Sequence, residues 1–163
     1  MGKPTLLVSL VAMLCINALA QQNPSGSTAT DSFIGKWKLN VDRSSTQIAA
    51  GTITIEPVGK KYRITLDFAN TAWFGGAVWT VTDMKGWASP VTRNSNHPIG
   101  EEWHVKREGV DSFTIISVFR VPGAGGRVEY RYTVGPDGKT LTRRVISEEP
   151  PGHRQVLVFE KAP

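Results

Sequence analysis

The sequence predicts an all-β domain, an antiparallel up-and-down β-barrel of about 8-10 strands. Three observations carry that expectation. Apolar and polar residues alternate with period 2 in one run after another, Gly, Pro, Asn and Asp punctuate the runs, and helical periodicity is almost absent. Most links between runs are too short for the return connections of a Greek key, which favours a meander. A meander that curls upon itself is favoured over two stacked sheets.

The folded part opens with residues 33–39, FIGKWKL. Gly35 lacks a Cβ and lets other backbone come close, so Trp37, two residues on, can plug one end of an all-β core. Residues 40–45 are a polar turn region. The alternation resumes over 52–56 (TITIE), and 57–60 (PVGK) reads as a hairpin link. In 61–68, Tyr62, Ile64, Leu66 and Phe68 share one face and Lys61, Arg63, Thr65 and Asp67 the other, as in a half-buried strand. A turn carrying Trp73 and Phe74 leads to a strand over 77–83. Residues 84–100, with two glycines, two prolines and two asparagines, form an irregular stretch and the candidate lid of one barrel mouth. Strands follow over 101–107, 112–120 and 127–134. In the turn Pro136-Asp137-Gly138, Gly138 takes the positive φ. Strands over 139–147 and 155–161 complete a set of roughly nine.

The 163-residue chain divides into a signal peptide (1–20), a flexible leader (21–31) and the barrel domain (32–163). Lys3, the apolar run Leu6–Ile16 and the small residues Ala18 and Ala20 have the layout of a secretory signal, with cleavage expected after Ala20. The apolar run falls short of the roughly 20 residues of a membrane span, so no stable membrane span is expected. Cleavage removes Cys15, the one cysteine, so the exported domain relies on its core rather than on disulfides. No Asn-x-Ser/Thr acceptor is present, since Pro24 spoils the near-match at Asn23, and this favours a bacterial periplasmic or secreted protein. Losing Lys3 lowers the formal net charge from +5 to +4, and the basic residues interleave with acidic ones, which argues against nucleic acid as a partner.

The order of motifs resembles the calycins. Residues 33–39 are similar to the G-x-W first strand of lipocalins and fatty-acid-binding proteins. The resemblance to small exported bacterial lipocalin-like proteins of undefined function is closer. It extends through the Ser-containing turn Asn40–Ser45, the segments Asp83–Gly86 and Pro90–Thr92, the pair Lys106-Arg107, the hairpin Val134–Thr142 and the ending Val156–Lys161. What the resemblance implies is an antiparallel barrel holding a small hydrophobic or amphipathic ligand. It also implies a late-strand arginine packed across Trp37, for which Arg143, Arg144 and Arg154 all qualify. The second and third lipocalin signatures are not clearly present. There is also no room between Leu39 and Thr52 for the helix pair of the fatty-acid-binding proteins.

Parity nominates Phe68, Trp79, Trp103, Phe113, Tyr130 and Tyr132 as the candidate ligand-binding wall. So many large rings can equally fill the interior, leaving a structural module that works through its loops or outer surface. Arg143 shares parity with Leu141 and Val145. An inward guanidinium there would serve either as an anchor for a ligand carboxylate or as the contact that closes on Trp37. The residues assemble no catalytic constellation. Glu102, His104 and Lys106 point outward if Trp103 points in, while His97 and His153 lack metal-ligand spacing to His104. No enzyme activity, no metal and no cofactor is expected, and the oligomeric state is not legible.

Overall fold

Among the described residues, eleven strands form one antiparallel sheet. They are β1 (Gly35–Asn40), β2 (Ala50–Val58), β3 (Lys61–Ala69), β4 (Gly76–Thr82), β5 (Lys85–Trp87), β6 (Thr92–Arg93), β7 (Gly100–Arg107), β8 (Ser112–Val121), β9 (Ala124–Val134), β10 (Thr140–Glu149) and β11 (Val156–Lys161). The structure is a computed structural model and describes residues 31–163 apart from 47, 70–75, 89–90, 94–99, 122–123 and 150–154. The predicted signal peptide, all of the leader but Asp31, the loop aromatics Trp73 and Phe74, and His97, His153 and Arg154 lie outside the described residues. No described helix is long and apolar enough to cross a membrane, which says nothing of a β-barrel.

The strand order β5-β7-β8-β9-β10-β11-β1-β2-β3-β4-β6 is a meander whose first and last long strands pair. Trp37 lies opposite Lys161 and Leu39 opposite Phe159. The sheet is therefore nearly closed into a barrel. Its seam falls between β4 and β7, where the short β6 pairs with β4 at Val78 and Trp79 and the short β5 pairs with β7 at residues 104–106. The stretch expected to be irregular thus supplies two strands, and both free edges belong to it.

Turn chemistry fixes the hairpins as the sequence suggests. Gly138 takes φ 64° and Gly59 φ 61°. Asp137 Oδ1 accepts from the N–H groups of Lys139 (2.9 Å) and Thr140 (3.2 Å). These bonds to the ionised form hold the Asp137 carboxyl below its ordinary range, the Lys139 N–H contributing most.

Phe33 departs from the expectation. It sits in a turn, with Ile34 N–H donating to the Asp31 carbonyl at 3.0 Å, and the strand begins only at Gly35. The turn drives the Phe33 ring into the end of the barrel, edge-on to Phe113 (5.2 Å) and Tyr62 (5.9 Å). Its carbonyl accepts the buried indole N–H of Trp37 at 2.9 Å, which needs a partner once out of water. Asp31, assigned to the leader by sequence, is 4% exposed. It accepts from the Tyr62 hydroxyl at 2.5 Å and pairs with Arg107, while Ser32 N–H and Oγ both donate to the Val110 carbonyl. Residues 31–34 are thus a stopper tied to β3 and to the β7–β8 turn.

Gly35 has φ 136°, and a Cβ there would lie 3.1 Å from Lys161 Cε. The close approach is made by a side chain rather than by backbone, as Lys161 crosses Gly35 to place its ammonium 5.1 Å from the Trp37 ring centre.

Removing the stopper tests this arrangement. Phe33→Ala deletes a fully buried ring and is expected to cost about 3–5 kcal/mol in urea unfolding. A loss below about 1 kcal/mol would mean that the ring does not hold this end.

Candidate ligand-binding site in the barrel interior

The interior divides into two halves. At the end nearest Trp37, the inward side chains of Phe33, Trp37, Ile55, Val105, Phe113, Tyr132, Leu141 and Phe159 have no exposure at all. Phe113 and Tyr132 lie opposite each other on β8 and β9 and stack with centroids 4.6 Å apart and planes 3° apart. This half is packed solid. Toward the other end, the inward-facing Phe119, Tyr130, Val145 and Glu101 are only partly buried.

Arg143 marks the boundary. It lies opposite Tyr132 on β9 and Leu157 on β11, faces inward and is 8% exposed. Its guanidinium reaches from β10 across the barrel to β3, 5.3 Å from the Phe68 ring centre and 4.3 Å from that of Tyr130. Gly51 makes the crossing possible, because a Cβ there would sit 2.3 Å from the Phe68 ring. A desolvated cation–π contact returns on the order of 2 kcal/mol, while burying the charge costs several. Two ring faces offset most of that cost without neutralising the charge. Among the described residues, no carboxylate lies within ion-pair distance of Arg143.

Among the described residues, Glu101 and Glu148 bring acidic groups into the half beyond Arg143. Glu101 Oε1 accepts from Trp103 Nε1–H at 2.6 Å and from Ser117 Oγ–H at 2.8 Å. A bulge at Ile146 shifts the register between Val145 and Ser147, which brings Glu148 opposite inward-facing Val128 at the far end. Burial raises the Tyr132 hydroxyl pKa far above its ordinary value, and Arg143 only partly opposes this. Tyr130 is raised for the same first reason, with Arg143 lowering it and Glu101 and Glu148 adding to the rise.

Of the residues nominated from sequence, Phe68, Tyr130 and Arg143 meet at the boundary tier, and Trp103 lines the wall above it. Phe113 and Tyr132 belong to the filled half, although the Tyr132 hydroxyl reaches the boundary. Trp79 is a correction. On β4 the residues turned inward are Val78, Thr80 and Thr82, all buried, with Val78 opposite Leu66 and Thr80 opposite Ile64. Trp79 lies on the outer face, opposite Thr65, with the Arg63 guanidinium 5.3 Å from its ring centre. Among the described residues the cation over Trp37 is Lys161, while Arg143 is committed elsewhere and Arg144 lies exposed on the outer face opposite Arg131; the third candidate, Arg154, lies outside the described residues.

Glu102, His104 and Lys106 face outward, as Trp103 facing in requires, and His104 meets Trp87 edge-on at 5.3 Å. Trp87 is 63% exposed and borders a groove of about 660 Å³ along the β7–β8 rim, lined also by Val91, Val118, Arg120 and Glu101. Sequence reasoning missed Glu101, although its parity with Trp103 was readable. It could not find Glu148, whose inward position depends on the bulge.

Fold and interior together define an antiparallel β-barrel with one plugged end, compatible with a calycin-like fold. No family model and no curated protein matches this chain.

All three tyrosines have pKa values raised in the folded state, Tyr62 chiefly through its hydrogen bond to Asp31. The folded chain therefore holds protons that the unfolded chain releases at about pH 10. Their contribution to stability is complete below that pH and is lost as pH rises above it. Tyrosinate absorbance is expected to appear at higher pH in native protein than in the denaturant-unfolded chain. Coincident titration curves would contradict the burial of Tyr132.

Proposed function

We propose that this chain is an exported, lipocalin-like binding protein. It holds one small hydrophobic or amphipathic molecule in the half of the barrel away from Trp37 and does not transform it. The observation that carries this reading is the asymmetry of the interior. One half is filled to zero exposure, while the other keeps partly accessible apolar walls above a polar floor. A fully packed barrel would have no reason to place a charged floor halfway along its axis, where burial is costly. The resemblance of the motif order to small exported bacterial lipocalin-like proteins supports the same class and the same destination outside the cytoplasm.

Binding would work by desolvation. Apolar surface withdrawn from water contributes about 25 cal/mol per Å², so about 200 Å² of ligand surface supplies roughly 5 kcal/mol before the costs of ordering. The walls available for this are Phe119, Val128, Val145 and the ring of Trp103.

Titration of the mature protein with a panel of lipids and other apolar compounds, followed by tryptophan fluorescence, is expected to give one-to-one saturation for at least one of them. Val145→Trp, which fills the accessible half from a partly exposed position, should weaken that binding about tenfold or more without lowering the melting temperature by more than a few degrees. Absence of saturable binding throughout the panel, together with no co-purifying molecule in native mass spectrometry, would sink the reading. Export has its own measurement, since the intact mass of protein from its host should correspond to a chain beginning at Gln21.

A further inference from the structure

We infer that the ligand of the accessible half is a carboxylate-headed amphiphile that enters head first, its carboxylate seated between the Arg143 guanidinium and the Tyr132 hydroxyl. This deepens the binding reading above and rests on it.

The floor of the accessible half holds donors that no described acceptor matches. The Arg143 guanidinium carbon lies 4.3 Å from the Tyr130 ring centre and 5.3 Å from that of Phe68, and a guanidinium stacked on rings keeps its edge of N–H groups for hydrogen bonds. That edge is the part which meets a carboxylate with two parallel bonds. No described carboxylate occupies it. Beside it, the Tyr132 hydroxyl is fully buried, Arg143 can donate to its oxygen, and no described group accepts its proton. Arg143 cannot accept the hydroxyl proton, because a guanidinium only donates. A cation and a neutral O–H donor therefore stand together at the floor, and no described acceptor takes the hydroxyl proton. The group that satisfies both is an acceptor-only anion, and a carboxylate is the simplest.

The other charges in the interior narrow the class further. Glu101 is already engaged by Trp103 and Ser117, and Glu148 stands at the far end, where β9 begins and β10 ends. Both acidic side chains share the accessible half with Arg143, so a singly charged head fits better than a doubly charged phosphate.

The filled half fixes the orientation. Nothing can pass below Arg143, so the tail must run along Phe119, Val128 and Val145 toward the far end. From Arg143 to the end of β10 the wall covers about 20 Å of strand at ~3.3 Å per residue, or roughly 15 Å along the axis for strands tilted by about 40°. That depth suits a medium-length alkyl chain.

The test compares dodecanoate, dodecanol and dodecyl phosphate as probes of the full mature protein, by titration calorimetry. The wild type is expected to bind dodecanoate at least tenfold more tightly than dodecanol, and more tightly than dodecyl phosphate. Arg143→Met should abolish the preference for the acid while leaving affinity for the alcohol within a few-fold. Arg143→Lys, a point charge without the fork, should restore only part of it, and Tyr132→Phe should weaken the acid several-fold and the alcohol hardly at all. Equal wild-type affinities for acid and alcohol would overturn the carboxylate seat and leave the binding reading standing, as would tighter binding of the phosphate. Failure of every probe to bind would count against both. Should Arg143→Met not fold, the wild-type comparison and Tyr132→Phe decide the matter, with the carbon-13 shift of labelled dodecanoate reporting whether the bound carboxyl stays ionised at pH values where the free acid is protonated.

Discussion

A curled sheet must satisfy both of its edges, and the pairing of β1 with β11 is the contact on which this barrel depends. β1 lies between the last strand and β2, so it carries ladders on both sides. With that pairing in place, Trp37 sits inside and Lys161 is drawn across Gly35 onto its ring. The stopper of residues 31–34 can then reach β3 and the β7–β8 turn at once. Without it the same strands would form an open meander with one face of large rings in water. The opposite seam needs less, because two short strands from one segment cover what would otherwise be free edges.

Closure alone does not make a binding site, since a barrel of this size can be filled by its own side chains. Here the filling is uneven. Stacked Phe113 and Tyr132, with Phe33 driven in from the end, use up the volume around Trp37. Farther along, small residues face inward instead, among them Gly51, Val78, Ser117 and Gly126. Gly51 and Gly126 each give way to a phenylalanine on the neighbouring strand. The same chain therefore packs a rigid base and leaves walls accessible above it.

Arg143 and Lys161 divide two tasks that a single arginine was expected to choose between. A lysine on the final strand supplies the cation over Trp37 from the rim, where its ammonium stays hydrated and costs little to hold. Arg143 is freed for the interior, where its flat, weakly hydrated group can lie between ring faces in a way that an ammonium cannot. The cost of that burial is what gives the position meaning: a cation held between two rings is stable enough to persist and still short of a counter-charge.

Much of this was legible in the chain. The nine long strands follow from period-2 alternation and turn residues, because both are local properties of the backbone and its nearest neighbours. The inward positions of Phe68, Trp103, Tyr130, Tyr132 and Arg143 follow from parity within clearly two-faced strands. Parity failed at Trp79, because Val78, Trp79, Thr80, Val81 and Thr82 offer no polar face to set the phase, and only the register with β3 chooses which side turns in. Phe33 looked like strand because its neighbours do, yet the acceptor required by the Trp37 indole drew it into a turn. The bulge that brings Glu148 inward and the choice of Lys161 over an arginine were likewise invisible. By itself the sequence determined which segments are strands and which residues are large, small or charged. The tertiary structure decided which edges meet, which half of the interior fills and which cation faces which ring, since those outcomes depend on contacts between residues more than a hundred positions apart, such as Trp37 and Lys161.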